Sequence, residues 1–188
     1  MRSYDVDFKT LIGKKTLIKG DVGTGKTRLT ENILQTAVKF LPPGHITVID
    51  LAPQRMIVGD LRVGGSISVP NEVKYLRPSK VWAPRLEGKT KEEVTALARA
   101  NARSIEAIFD FFTRSPSPVL FINDLTLYLH AGSLERLLET IKLADTFVGN
   151  AYEGRKLQED KGSGISERER LLLKKLEGFM DVIIDMNQ

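Results

Sequence analysis

Gly20-Asp21-Val22-Gly23-Thr24-Gly25-Lys26-Thr27 is the stretch whose reading decides the fold. It spells GxxxxGK[ST]. The run before it, Lys15-Thr16-Leu17-Ile18-Lys19, favours a β-strand, and residues 27–40 read as a helix. Glycines let a backbone wrap a chain of phosphates with its N–H groups turned inward, and a following helix offers its positive end to the same anion. Lys26 has the reach to meet the outer phosphates, and the Thr27 hydroxyl is a ligand for Mg²⁺. The expected contacts run through Gly20, Asp21, Val22, Gly23, Thr24, Gly25, Lys26, Thr27 and Arg28.

Outward from the loop the chain alternates strand and helix, the pattern of a mostly parallel sheet covered on both faces. Leu41-Pro42-Pro43-Gly44 stops the first helix, and 45–51 follows as a β-branched run that reads as a buried strand. Residues 59–70 hold Gly59, Gly64 and Gly65 among alternating apolar residues and read as a hairpin or mobile loop; 73–76 reads as a strand. Thr90-Lys91-Glu92-Glu93 is a capping box that opens a helix to about Arg114, with Val94, Leu97, Ala98, Ile105, Ile108, Phe109 and Phe112 as its core stripe. Val119–Ile122 is an apolar strand. Ser133 caps a helix, 145–150 is a strand ending at Asn150, and Ser166-Glu167-Arg168-Glu169 is a second capping box for a helix to about Met180. The strand 181–185 comes last. The expectation is α/β: one domain over 1–188, a three-layer αβα sandwich with five or six strands.

The 188 residues suffice for a buried core, and 41% hydrophobic with 28% charged is a globular composition. No apolar run approaches the ~20 residues that span a bilayer, and Met1–Asp5 has the charge of no signal peptide. These features predict a cytoplasmic protein with no membrane partner. Without cysteine there are no disulfides or thiolate sites, and the two histidines, His45 and His130, are expected at element edges. A net charge of +4 is compatible with nucleic acid and draws no clear basic stripe.

A phosphate loop needs an acid at the end of a nearby strand to hold the Mg²⁺ shell. Val119-Leu120-Phe121-Ile122-Asn123-Asp124 delivers one: Asn123 takes the place directly after the apolar run, and the Asp124 carboxylate suits the hard cation. The roughly hundred residues between Lys26 and Asp124 leave room for two strands between them in sequence.

On these residues the chain resembles the P-loop NTPase superfamily, with Asn123-Asp124 similar to its Walker B element and the spacing similar to its RecA-like branch. The resemblance implies ATP or another nucleoside triphosphate with Mg²⁺ as ligands, Lys26 and Asp124 as catalytic groups, and one strand between the two Walker strands. That branch often supplies a glutamate base; Leu125-Thr126-Leu127 follows Asp124 instead, and Asp50 at a strand end is the substitute. Asn150 falls where such proteins place a polar residue against the γ-phosphate or the water. Arg155, Arg168 and Arg170 are candidate arginine fingers, in cis or across a homo-oligomer. Trp82 with Arg77, Lys80 and Arg85 is a basic-aromatic cluster able to stack a base or second substrate. The implied function is a slow NTPase coupled to a partner. A small-molecule kinase or ATP-dependent transferase using 59–70 and 82–85 as acceptor pocket is one alternative; a RecA-like module in DNA repair is another. The order of elements after Asp124 is also similar to ATP-dependent corrinoid adenosyltransferases, from whose lysine-rich loop Asp21–Lys26 departs.

Overall fold

The computed structural model describes residues 6–187; Met1–Asp5, where a targeting signal would begin, lie outside the described residues. A short 3₁₀ turn (Phe8–Leu11) leads into β1 (Lys15–Gly20), the glycine-bearing loop and α1 (Lys26–Ala37). Then come β2 (Ile46–Asp50), β3 (Met56–Val58), β4 (Leu61–Val63), β5 (Lys74–Leu76), α2 (Pro84–Glu87) and α3 (Lys91–Arg114). The chain closes with β6 (Val119–Asn123), α4 (Thr126–Leu129), α5 (Leu134–Lys142), β7 (Thr146–Tyr152), α6 (Ile165–Glu177) and β8 (Val182–Asp185).

Six strands form one parallel sheet in the order β5-β2-β6-β7-β1-β8, while β3 and β4 make a separate antiparallel hairpin. The sheet is buried on both faces because its central strands are apolar at successive positions. Ile18, Phe121 and Val148 face α1 through Leu29, Ile33 and Leu34, with Phe8 and Leu11 sealing the edge. Leu17, Leu120 and Phe147 face the other layer, where α3 brings Ile105, Phe109 and Phe112, and α6 brings Leu173 and Leu176. The result is a three-layer α/β sandwich. One strand, β7, lies between β1 and β6, as the resemblance implies.

Local chemistry sets the boundaries. Thr90 caps α3 by accepting from the Glu93 N–H, but the Glu93 carboxylate accepts from Lys89 rather than from the cap itself. Ser133 caps α5 through the Arg136 N–H. The second expected capping box does not form. Gly164, in the left-handed region at φ 83°, is the residue from which α6 starts, and the Ser166 N–H goes to Asp160 Oδ2 at 3.1 Å. Likewise β7 does not end at Asn150 but runs on to Tyr152, because the buried Asn150 amide finds partners inside the protein and gives the strand no reason to stop. Phe109 meets Tyr128 edge-on at 4.9 Å, and the Tyr128 hydroxyl donates to Glu106 while accepting from the Ser133 N–H. This packing holds α4 against α3, beside the C-terminal end of β6.

Candidate functional site

The loop after β1 is shaped for an anion. Gly23 and Gly25 hold φ of 79° and 90°, a backbone that a side chain would strain. Their N–H groups make no hydrogen bond among the described residues, and α1 starts at Gly25 with no side-chain cap. A twelve-residue helix thus presents an open N-terminus. Lys26 Nζ folds back to donate to the Asp21 carbonyl at 2.7 Å. Burial lowers its pKa, against the fields of Asp124 and Asp21, so an arriving phosphate would meet a partly desolvated ammonium. Asp21 does not aim its carboxylate at this space. It accepts from the N–H groups of Val22 and Arg155, packed so tightly on Gly154 that a Cβ there would lie 2.1 Å from Asp21 Cγ.

Above the loop lies a cavity of about 140 Å³. Val22, Gly23, Lys26 and Thr27 line one side, Asn123, Asp124 and Asn150 the floor, and Arg62–Gly65 with Ala83–Leu86 the opposite wall. Ligand pockets run to roughly 300 Å³ and more. A space this small matches terminal phosphates and whatever attacks them, not a whole nucleotide. Of the other loop residues read as contacts, Gly20, Thr24, Gly25 and Arg28 lie outside this wall, and Arg28 is exposed.

Asp124 sits just past β6 in the left-handed region, φ 57°, which aspartate tolerates better than most residues. Its N–H donates to Asn150 Oδ1 at 2.8 Å, and its carboxylate accepts from the Thr126 hydroxyl. Burial pushes its pKa up to about 6, partly opposed by Lys26 and reinforced by Glu169. No group of three His, Cys, Asp or Glu able to cage a metal occurs among the described residues. Thr27 and Asp124 nonetheless fit the Mg²⁺ pattern of one carboxylate, one hydroxyl and the ligand's own phosphates.

Asn150 and Asp50 turn out to belong to one buried chain of hydrogen bonds. The Asn150 amide donates to Thr30 Oγ1 on α1 and to Asn123 Oδ1, and Asn123 donates to Asp50 Oδ1. Asp50 also accepts from the Ala52 and Ile67 N–H groups and from the Tyr75 hydroxyl at 2.6 Å. With four donors on its two oxygens and no exposure, Asp50 has no lone pair to offer a water, so its candidacy as base falls. Its function is to tie the ends of β2, β5 and β6 together.

The arginines also redistribute. Arg168 donates to the Gly132 carbonyl, Arg170 pairs with Glu167 at the surface, and Arg155 is exposed. The cavity instead receives Arg85, and on the hairpin Arg62. Arg85 is held by Glu169 at 2.9 and 3.3 Å and by Ser166 Oγ, with its guanidinium over the Tyr152 ring. Trp82 stays off the wall. Lys80 covers one face of its ring at 3.3 Å, and Asn101 clamps its N–H and carbonyl. His130, read as an edge residue, does end α4 but is 3% exposed and lines the cavity.

The carboxyl of Asp124 yields a testable pH behaviour. Raised from 3.8 to about 6 in the fold, it adds stability that is complete below pH 4 and lost as pH rises through 6. At neutral pH the ionised form therefore costs on the order of 3 kcal/mol at most. Asp124→Asn should raise the melting temperature of nucleotide-free protein at pH 7.5 and lose that advantage at pH 4. In the same variant Mg²⁺-dependent turnover should collapse, with nucleotide affinity changing less. Wild-type Mg²⁺–nucleotide affinity should weaken as pH falls below about 6, because the carboxylate must be ionised to hold the cation. Melting curves at the two pH values, with and without Mg²⁺–nucleotide, and a turnover assay of the variant read all of these.

A parallel sheet in this order, with the glycine loop between β1 and α1 and an acid after β6, is the three-layer α/β arrangement that the resemblance implies. No protein-family model matches the chain, and no curated protein sequence matches it. Among solved structures it is similar to Pif1 helicase from Candida albicans, at 12% identity and a TM-score of 0.43 over 100% of this chain and 40% of that one. It is also similar to the PH0250 protein of Pyrococcus horikoshii OT3, at 12% identity and a TM-score of 0.47 over 97% and 89%. The chain thus spans under half the length of the helicase. No helix among the described residues is long and apolar enough to cross a membrane.

Proposed function

We propose that the chain binds a nucleoside triphosphate with Mg²⁺ at this loop and hydrolyses it slowly, with turnover governed by a partner, as a RecA-like member of the P-loop NTPases. The observation that carries the reading is the convergence of Lys26, Thr27, Asp124 and Arg85 on one small cavity. Lys26 would hold the outer phosphates, and Thr27 and Asp124 the Mg²⁺, whose chemistry is to neutralise charge on the phosphate oxygens. Arg85 would face the charge that spreads over the γ-phosphoryl group in the transition state, the role of an arginine finger supplied in cis. Asn150, bonded to the Asp124 backbone, would hold that acid in place. No glutamate lines the cavity among the described residues, so the glutamate base that the resembled branch often supplies would have to be replaced by another group.

A second reading, transfer to a small acceptor, has one observation in its favour. The wall opposite the loop is built from the hairpin and the 83–86 segment, with Val63, Pro84 and Leu86 giving it an apolar face that a water nucleophile does not need. Phosphorus NMR of Mg²⁺–ATP incubated with the protein alone, with DNA, and with a pool of small hydroxyl and carboxylate compounds separates the two. ADP and inorganic phosphate as the only new products support hydrolysis, and a phosphorylated compound supports transfer. No turnover in any mixture overturns both.

A further inference from the structure

His130 in the cavity wall forms with Glu169 behind it a buried acid–base pair to which neither phosphate binding nor Mg²⁺ binding assigns a task. His130 closes α4, and its side chain is 1% exposed. Its Nε2 lies 2.6 Å from Glu169 Oε2 on α6, and the Glu169 carboxylate is itself 6% exposed and clamped by Arg85. A carboxylate facing Nε2 makes that nitrogen the donor, which in the neutral ring leaves Nδ1 with a lone pair. That Nδ1 is buried and has no hydrogen-bond partner. A buried acceptor left empty is costly, and a donor that enters with a ligand would relieve that cost. The ring forms part of the cavity wall together with Asp124 and Lys26, and no hydrogen bond joins it to Asp124 among the described residues.

We propose that His130 Nδ1 is the proton acceptor for the group that attacks the γ-phosphate, with Glu169 as the positioning residue that orients the imidazole and balances its charge. This rests on the triphosphate reading and supplies the base that the residues after Asp124 do not. In the step, the water oxygen bonds to the γ-phosphorus. The bond from that phosphorus to the bridging oxygen breaks, and its electron pair leaves on the diphosphate. One water proton passes to Nδ1, which returns it to the released phosphate. The charges around the ring suit the transfer. Glu169 and Asp124 stabilise an imidazolium, while Arg85 and Lys26 oppose it until phosphate oxygens neutralise them. Arg99 and Arg168, which line a second cavity backing onto the same ring, oppose it too. A carboxylate holding one ring nitrogen so that the other can work is the arrangement by which histidine serves as a general base.

The chain has two histidines, which makes the test clean. Nitrogen-15 NMR follows His130 in full-length protein, free and saturated with Mg²⁺–ADP–aluminium fluoride, a mimic of the transferring group with its attacking water; a His45→Gln variant assigns the signals. The expected result is an Nδ1 that moves from an unbonded lone pair to a protonated or hydrogen-bonded nitrogen in the complex. His130→Gln, whose amide keeps a donor for Glu169, should lower kcat by about 100-fold or more while nucleotide affinity stays within about threefold. Glu169→Gln should lower kcat by about tenfold and weaken the NMR change. An unchanged Nδ1 signal in the complex overturns the assignment, as does a His130→Gln enzyme with wild-type kcat. Failure of wild-type protein to bind the nucleotide complex at all removes the triphosphate reading itself, a different outcome from an unmoved nitrogen in a formed complex.

Discussion

Nucleotide affinity should fall at least about 100-fold when Lys26 becomes alanine, and the fold should survive the change. A hydrogen bond from a charged donor to a charged acceptor is worth roughly 1.5–3 kcal/mol net, and more when the pair is shielded from water. Lys26 is the one lysine lining the cavity among the described residues, and burial has already stripped much of its hydration. Its own hydrogen bond is a single contact to the Asp21 carbonyl. Removing the side chain therefore takes little from the protein and a great deal from a phosphate. Titration with a fluorescent triphosphate analogue measures the first, and a melting curve without nucleotide measures the second. Affinity within threefold of wild type would mean that the loop does not cradle phosphates.

How far the sequence reaches is clearest by comparing residues whose role is local with residues whose role depends on tertiary placement. The glycine loop, the apolar strand before Asp124 and the Ser133 cap are short-range patterns, each decided by the residues in a window of about eight. The loop's φ values and the cap's hydrogen bond agree with that reading. Asp50 misleads because a strand-end acid looks the same in sequence whether it faces a ligand or four buried donors. Those donors come from Ala52, Ile67, Tyr75 and Asn123, as many as 73 positions away. Arg85 and Glu169 lie 84 residues apart and meet only in the folded chain. Neither has a motif of its own. One signal exists: an Arg among apolar residues (Ala83-Pro84-Arg85-Leu86) and a Glu on the apolar side of its helix, spaced four residues from Leu173 and Ile165, are charges placed where burial is expected. Ser166 looks like a cap in sequence, but Gly164, two residues earlier, takes the left-handed conformation that starts the helix first.

Arg85 gives the second large effect, a fall of about 1,000-fold in kcat for Arg85→Gln. The guanidinium is 8% exposed on its side chain, and its place in the cavity is set by Glu169, Ser166 and the Tyr152 ring rather than by a mobile surface stem. Preorganised charge of this kind acts where charge develops in the transition state, in a space that excludes water. It therefore lowers the barrier more than it tightens ground-state binding, and nucleotide affinity should fall by about tenfold or less. Loss of the arginine also leaves Glu169 with His130 as its remaining partner, and breaking a buried pair costs roughly 3–5 kcal/mol. Melting curves must therefore accompany the kinetics. Arg85→Lys separates the two effects. It keeps the positive charge beside Glu169 but cannot form the two-pronged contact, so most of the stability should return while kcat stays at least about tenfold low. A destabilised Arg85→Gln protein whose kcat per folded molecule matches wild type would make Arg85 a structural strut between α2 and α6, and the charge on the transition state would have to come from Arg62 or from a partner.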